Sequence, residues 1–226
     1  MHPSVIVSEV DESVVVLDDI EDLVSELARL KAEAVAAQVL PADEVVLVGC
    51  DTMLEIDGKP YGKPGTPEAA VQLWHRLSGV TGTLVTGHHV IVSRGGQVRH
   101  ATRNAVTLVH FADLSDEEME AYAATGEPEN VAGGFTIDGF GGPFVTGLEG
   151  DPHNVVGISL PLLRMMLADL GVTWHDLWAQ PSAGPTPAPT GPEIASWVAT
   201  VRDQKAASPV ALDTDEIFGS EDTDRH

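Results

Sequence analysis

The 226-residue chain carries a formal net charge of −23, 35 Asp and Glu against 12 Lys and Arg, and so lacks the basic surface a nucleic-acid partner needs. Its 43% apolar content is enough for a core, but no apolar run reaches the ~20 residues that span a bilayer, and the start has neither the basic region nor the cleavage pattern of a signal peptide. Cys50 is the single cysteine, which leaves no disulfide framework or zinc knuckle; a cytoplasmic protein without a membrane partner is the simplest expectation.

In chain order, "PSVIVSEV" (3–10) reads as a short strand. "DDIEDLVSELARLKAEAVAAQ" (18–38) follows as a helix with Ile20, Val24, Leu27, Lys31 and Val35 on one stripe. "EVVLVGC" (44–50) is a buried strand, and "MLEIDGKPYG" (53–62) holds the Asp57-Gly58 pair of a tight hairpin. "TPEAAVQLWHRLSG" (66–79) is a helix with Thr66 as cap, Pro67 in its first turn, Gly79 as stop, and Ala70, Leu73, Trp74 and Leu77 on its core face. Two long strands, "TLVTGHHVIVSRGG" and "QVRHATRNAVTLVHF", meet at Gly95-Gly96. "LSDEEMEAYAATG" opens with a capping box of Ser115 and Glu118, and "SLPLLRMMLADLG" is the last helix of this part. The order β-α-β followed by hairpins predicts an α/β domain: a mixed twisted sheet with flanking helices.

Composition divides the chain near residue 179. Residues 1–178 form the expected globular domain; 179–226 are Pro-rich and then acidic, and read as a mostly disordered tail with one helical piece at 193–207.

The chemistry centres on "CDTMLEIDGKPYGKP", 50 to 64. Asp51 ends an apolar run, and carboxylates at the ends of buried strands are where open α/β sheets place ligands; it reads equally as a strand-end turn residue. The lysines are only Lys31, Lys59, Lys63 and Lys205. Lys31 sits on the apolar stripe of its helix, where it either snorkels outward or meets an anion in a cleft. Lys63 lies in a Gly-Lys-Pro turn and, taken alone, is an ordinary solvated lysine. Residues 131–157 are glycine-dense, which suits a surface loop or close backbone approach to a ligand. His88 and His89 face opposite sides of a strand and read as packing or surface residues rather than metal ligands.

Taken together, "VDES", "LARLKAEAV", "GCDTMLEIDGKPYGKP", "LSGVTGTLVTGHHV", "YAATGEPENVAGGFTIDG" and "GDPHNVVGISLPLL" resemble, in order, the signature segments of the Maf proteins. These are septum-formation-inhibitor-like nucleotide pyrophosphatases with the Maf/Ham1 (inosine-triphosphatase-like) fold, and the wording is most similar to the actinobacterial branch. The resemblance implies hydrolysis of a nucleoside triphosphate to the monophosphate and pyrophosphate with a divalent metal, Mg²⁺ or Mn²⁺, in nucleotide-pool housekeeping. It places the proton acceptor on Asp51 and the carboxylate of the phosphate and metal region on Glu12, so that Glu12 and Asp51 are the expected metal ligands. It places the substrate-facing lysines on Lys31 and Lys63, and the residue that in dTTP- and UTP-preferring members is threonine on Thr52. Thr52 thus implies a dTTP or UTP preference, which Asp138, standing where the family has Gln at a position that helps select the base, puts in question. The family's opening strand, Ser/Arg phosphate loop and helix have no counterpart here. A start site set too far downstream is the expected reason, and the strand edge so exposed would favour a homodimer. A catalytically weak Maf-like binding protein in cell division or septum control is the alternative this departure implies.

Overall fold

Two pairs of left-handed residues set the sheet. Asp57 and Gly58 (φ 52° and 73°) turn the chain between β1 (Val45–Ile56) and β2 (Lys59–Tyr61). Gly95 and Gly96 (φ 57° and 74°) do the same between β3 (Thr81–Arg94) and β4 (Gln97–Phe111). Positive φ at both central positions gives the two-residue turn whose twist matches that of the strands it joins. β5 (Val145–Gly150) pairs with β4, giving the order β2-β1-β3-β4-β5. The structure, a computed structural model, describes residues 4–40 and 44–178; the expected helical piece at 193–207 and the tail around it lie outside the described residues.

The α/β architecture with flanking helices is as expected, but the sheet differs in kind and in detail. Every described strand pair is antiparallel, so the parallel component of a mixed sheet is absent among the described strands. The reason lies at β1. The expected strand at 3–10 is not one: residues 4–11 join no ladder. β1 is therefore paired along its length only by β3, with β2 reaching just Leu54, Glu55 and Ile56. β5 comes from the glycine-dense segment, where "VTGLEG" has too little alternation to read as a strand.

α1 (Ile20–Val39) starts at Asp19, whose side chain accepts from the Glu21 and Asp22 amides. It buries Val24 and Leu27 as expected, then Ala28, Ala32 and Ala36 rather than Lys31 and Val35. The shift has a steric cause. A Cβ on Gly87 would fall well inside 3.0 Å of Val24 O, and one on Gly49 would do the same against Ala28 O, so the two glycines let the helix backbone lie almost on β1 and β3. Only small side chains fit beneath it.

Strand alternation puts Leu54, Leu84, Val90 and Val92 on the other face. There, α2 (Pro67–Leu77) and α3 (Asp116–Ala124) cover one end, and α5 (Leu160–Asp169) the other. Thr66 caps α2 and the Ser115–Glu118 box opens α3, both as expected, and Ala70, Leu73, Trp74 and Leu77 are buried. Trp74 meets Phe111, Tyr122 and Phe144 edge-on, with centroids 5.5–5.7 Å apart. Its indole N–H donates to Gly134 O at 2.9 Å, which fastens the glycine-dense segment to the core. Among the described residues no helix is long and apolar enough to cross a membrane.

Candidate functional site

Asp51 does not end a strand. The two strands expected on either side of it are one, and the carboxylate sits in the middle of β1, opposite Gly87. With no side chain at Gly87, the space on that face is left to α1, and α1 brings Lys31 onto the carboxylate. Lys31 Nζ lies 2.5 Å from Asp51 Oδ1 and 2.7 Å from Glu12 Oε1. Of the two readings of Lys31, the structure selects the anion in a cleft. Glu12 arrives from a single 3₁₀ turn, Glu12–Val14, opened by the Asp11 carboxylate accepting from the Ser13 amide.

Burial dominates the electrostatics of Asp51, which is 9% exposed. Desolvation pushes its carboxyl above the usual range; the Lys31 bond and charge pull it back, Glu12 adds to the upward push and Lys63 opposes it. Burial alone would pull the Lys31 ammonium down, but its bonds to Asp51 and Glu12 outweigh that and raise it, so the lysine stays charged. Asp51 Oδ2 is buried without a hydrogen-bond partner. One carboxylate oxygen is thus fixed by a cation while the other keeps free lone pairs, as a proton acceptor or metal ligand must.

Thr52 points through the other face of the sheet, its hydroxyl 2.9 Å from that of Thr86. Lys63 is in the turn after β2. That turn is held by Gly133 N–H donating to Gly62 O (3.0 Å) and Gly65 N–H donating to Glu129 O (2.9 Å). A cavity of about 450 Å³ opens between these elements, lined by Lys31, Asp51, Thr52, Lys63, Thr136 and Asp138 among others. Five of the six expected residues therefore share one cavity, and Glu12 joins them through Lys31. A larger hollow, about 800 Å³, lies between Val14–Leu17, α1 and β4. Both its arginines are already paired, Arg29 with Glu26 and Glu33 and Arg103 with Asp169, so it offers an anion no free cation.

Among the described residues no group of three or more His, Cys, Asp or Glu side chains is placed to cage a metal. A hard divalent ion needs no such cage. Mg²⁺ keeps several waters and commonly takes one or two carboxylates together with phosphate oxygens. The free Asp51 Oδ2 and the half-exposed Glu12 carboxylate suit that mode.

His88 is buried, as the packing reading allows, and two other residues, Asn154 and Glu127, escaped the sequence reading. His88, fully buried, accepts from Ser159 N–H at Nε2 (2.8 Å) and faces Thr86 O from Nδ1 (3.0 Å). A backbone amide can only donate, so Nε2 is bare, Nδ1 carries the proton, and the ring is neutral; burial lowers its pKa accordingly. Asn154, also fully buried, donates from Nδ2 to Leu84 O, Ala105 O and Thr107 Oγ1, and its backbone carbonyl accepts from Thr86 Oγ1 at 3.4 Å. It belongs to α4 (Pro152–Val155), whose last residue, Val155, forms a wall of the cavity with Val156 and Gly157 that follow it. The other is Glu127, below. His89, in contact with Thr102 Oγ1 and 5.4 Å from the His100 ring, is a packing residue as expected.

Residues 1–170 match the profile of the Maf-like protein family. The chain is similar to the nucleoside triphosphate pyrophosphatase of Cutibacterium acnes, 51% identical over 188 residues that cover 81% of this chain and 88% of that protein. It is 49% identical over 190 residues to the nucleoside triphosphate pyrophosphatase of Salinispora tropica, covering 83% of each chain. Against that of Streptomyces coelicolor it is 45% identical over 179 residues, 79% of this chain and 85% of the relative.

Proposed function

The chain belongs to the Maf-like family, and we propose that it hydrolyses nucleoside triphosphates to the monophosphate and pyrophosphate in the cavity around Asp51. The observation that carries this reading is the state of that carboxylate: buried, held by Lys31 through one oxygen, unpartnered at the other, and in one cavity with a second cation, Lys63. A carboxylate raised above its ordinary range is a stronger base near neutral pH than an exposed aspartate.

Asp51 takes a proton from water as its oxygen bonds to the α-phosphorus; the bond to the bridging oxygen breaks and pyrophosphate leaves with that electron pair. Lys31 keeps Asp51 ionised and oriented, and Lys63 offsets the negative charge of the polyphosphate. Phosphoryl chemistry is mostly such positioning and neutralisation, and in a chain of net charge −23 the local cations matter more than usual. Asp51 and Glu12 are the residues that would hold Mg²⁺ or Mn²⁺; when bound, the ion supplies further charge neutralisation at the phosphates. Asp138 cannot face phosphate favourably, so it and Thr52 attend the nucleoside end.

Pyrophosphate release over a panel of nucleoside triphosphates, with and without Mg²⁺, tests this on the parent and on Asp51→Asn. The substitution keeps shape and removes the base, so kcat is expected to fall by about 10²-fold or more with KM little changed. Equal rates in the two proteins would remove Asp51 from the chemistry. A parent that binds triphosphates and releases no pyrophosphate would instead mark a binding protein.

A further inference from the structure

Four donors converge on one carboxylate that does not line the cavity. Glu127 Oε1 accepts from the Tyr122 hydroxyl at 2.9 Å, the Thr136 hydroxyl at 2.5 Å and Gly141 N–H at 3.0 Å, and Oε2 accepts from Phe140 N–H at 3.0 Å. The Thr136 amide in turn donates to the Tyr122 hydroxyl at 3.3 Å. Three of the four donors belong to the segment 136–141, which carries Thr136 and Asp138 into the cavity. The fourth, Tyr122, is a buried residue of α3 that packs on Trp74 and Phe144. The carboxylate thus ties the cavity loop to the aromatic core.

Two glycines make room for it. A Cβ on Gly139 would collide with Glu127 Oε2, and one on Gly141 would stand 2.6 Å from the Tyr122 hydroxyl oxygen. Burial alone would raise the Glu127 carboxyl; the bonds from Thr136, Phe140, Tyr122 and Gly141 outweigh it and hold the group below its ordinary range. An ionised carboxylate is acceptor-only, and four donors ask for just that. A carboxamide in its place would turn an N–H₂ group toward at least one of them.

We infer that Glu127 is a positioning residue for the substrate: it fixes the loop 136–141, and with it the part of the nucleotide site formed by Thr136 and Asp138. The inference rests on the proposed nucleotide reading of the cavity. Glu127 touches neither the reacting atoms nor Asp51, so its effect falls on binding. Without it, the substrate must order the loop on arrival, and its apparent affinity falls by the fraction of molecules in which the loop is already in place.

The test compares the parent with Glu127→Gln, Glu127→Asp and Tyr122→Phe, and with Glu129→Gln as a control whose side chain makes none of these bonds. Hydrogen exchange of the Phe140 and Gly141 amides reports the clamp whatever the protein catalyses; steady-state kinetics on the best triphosphate of the panel report its consequence. Glu127→Gln is expected to lower protection of those two amides by about tenfold or more while β3 amides are unchanged, and to raise KM about tenfold with kcat within about twofold; these are the effects of losing one charge-assisted hydrogen bond. Tyr122→Phe shifts both in the same direction by less. Should Glu127→Gln not fold, Glu127→Asp, which keeps the charge and shortens the reach, carries the same expectation. Lost protection with unchanged KM overturns the inference, as does a fall in kcat at constant KM, or protection retained in the variant. A parent that binds triphosphate without hydrolysing it overturns the proposed activity alone, and a triphosphate Kd, measured by titration, then replaces KM with the same expected tenfold change. A parent that neither binds nor hydrolyses triphosphates overturns both.

Discussion

Replacing Lys31 with methionine separates its effect on Asp51 from its charge toward phosphate. Methionine retains most of the aliphatic volume that lies against the sheet and removes the ammonium 2.5 Å from Asp51 Oδ1. In the parent, that ammonium is the main force against burial; without it, desolvation and the Glu12 charge act on Asp51 in the same direction, and only Lys63 opposes them. A hydrogen bond between charged groups contributes about 1.5–3 kcal/mol, and each 1.36 kcal/mol is a factor of ten in rate. kcat/KM at neutral pH should therefore fall about 10- to 100-fold and recover as rising pH ionises Asp51. Stability follows the same group. A carboxyl whose folded pKa is raised contributes stability that is fully present below the unfolded value near 3.9 and is lost as pH rises through the folded pKa. The Tm deficit of Lys31→Met against the parent should thus be smallest in acid and grow toward neutrality, and adding Asp51→Asn should remove that pH dependence. The assay is kcat/KM and Tm from about pH 5 to 9. A loss that is uniform across pH, with the acid limb in place, would refute the coupling and leave Lys31 acting on the phosphates alone.

Two further substitutions bear on the scaffold. Gly87→Ala forces a methyl group into the α1 backbone at Val24 O, and a fall in stability of about 1–3 kcal/mol or more, read as a Tm several degrees lower, is expected; an unchanged Tm would show that α1 can lift off the sheet freely. His88 is held neutral by burial, with its pKa below the ordinary value. Its contribution to stability is therefore present above the unfolded pKa near 6.5 and lost as pH falls through the folded pKa. Chemical denaturation should show parent stability declining below about pH 6.5, and His88→Gln should lack that part of the decline.

Sequence alone determined whatever is settled within a few residues. The caps at Thr66 and Ser115, the turns at Asp57-Gly58 and Gly95-Gly96 and the buried face Ala70, Leu73, Trp74 and Leu77 depend on local backbone geometry and helical spacing, and each is found where the residues place it. Asp51, Lys63 and Asp138, which the family resemblance singled out, line one cavity. What the tertiary structure decided are the properties that depend on a partner far along the chain. Asp51 reads as a strand end because a polar pair interrupts an apolar run; it lies in mid-strand because β3 pairs continuously past it and puts a glycine opposite. Lys31 reads as one misfit on an apolar stripe, and only the close approach of α1 over Gly49 and Gly87 sets it on a carboxylate 20 positions away. Glu127 lies in a signature segment, but nothing local assigns it a role, since its four donors lie on both sides of it and meet only once the loop closes. The all-antiparallel sheet is of the same kind: periodicity gives a strand its faces, but which edges meet is a matter of long-range pairing, which local spacing does not encode.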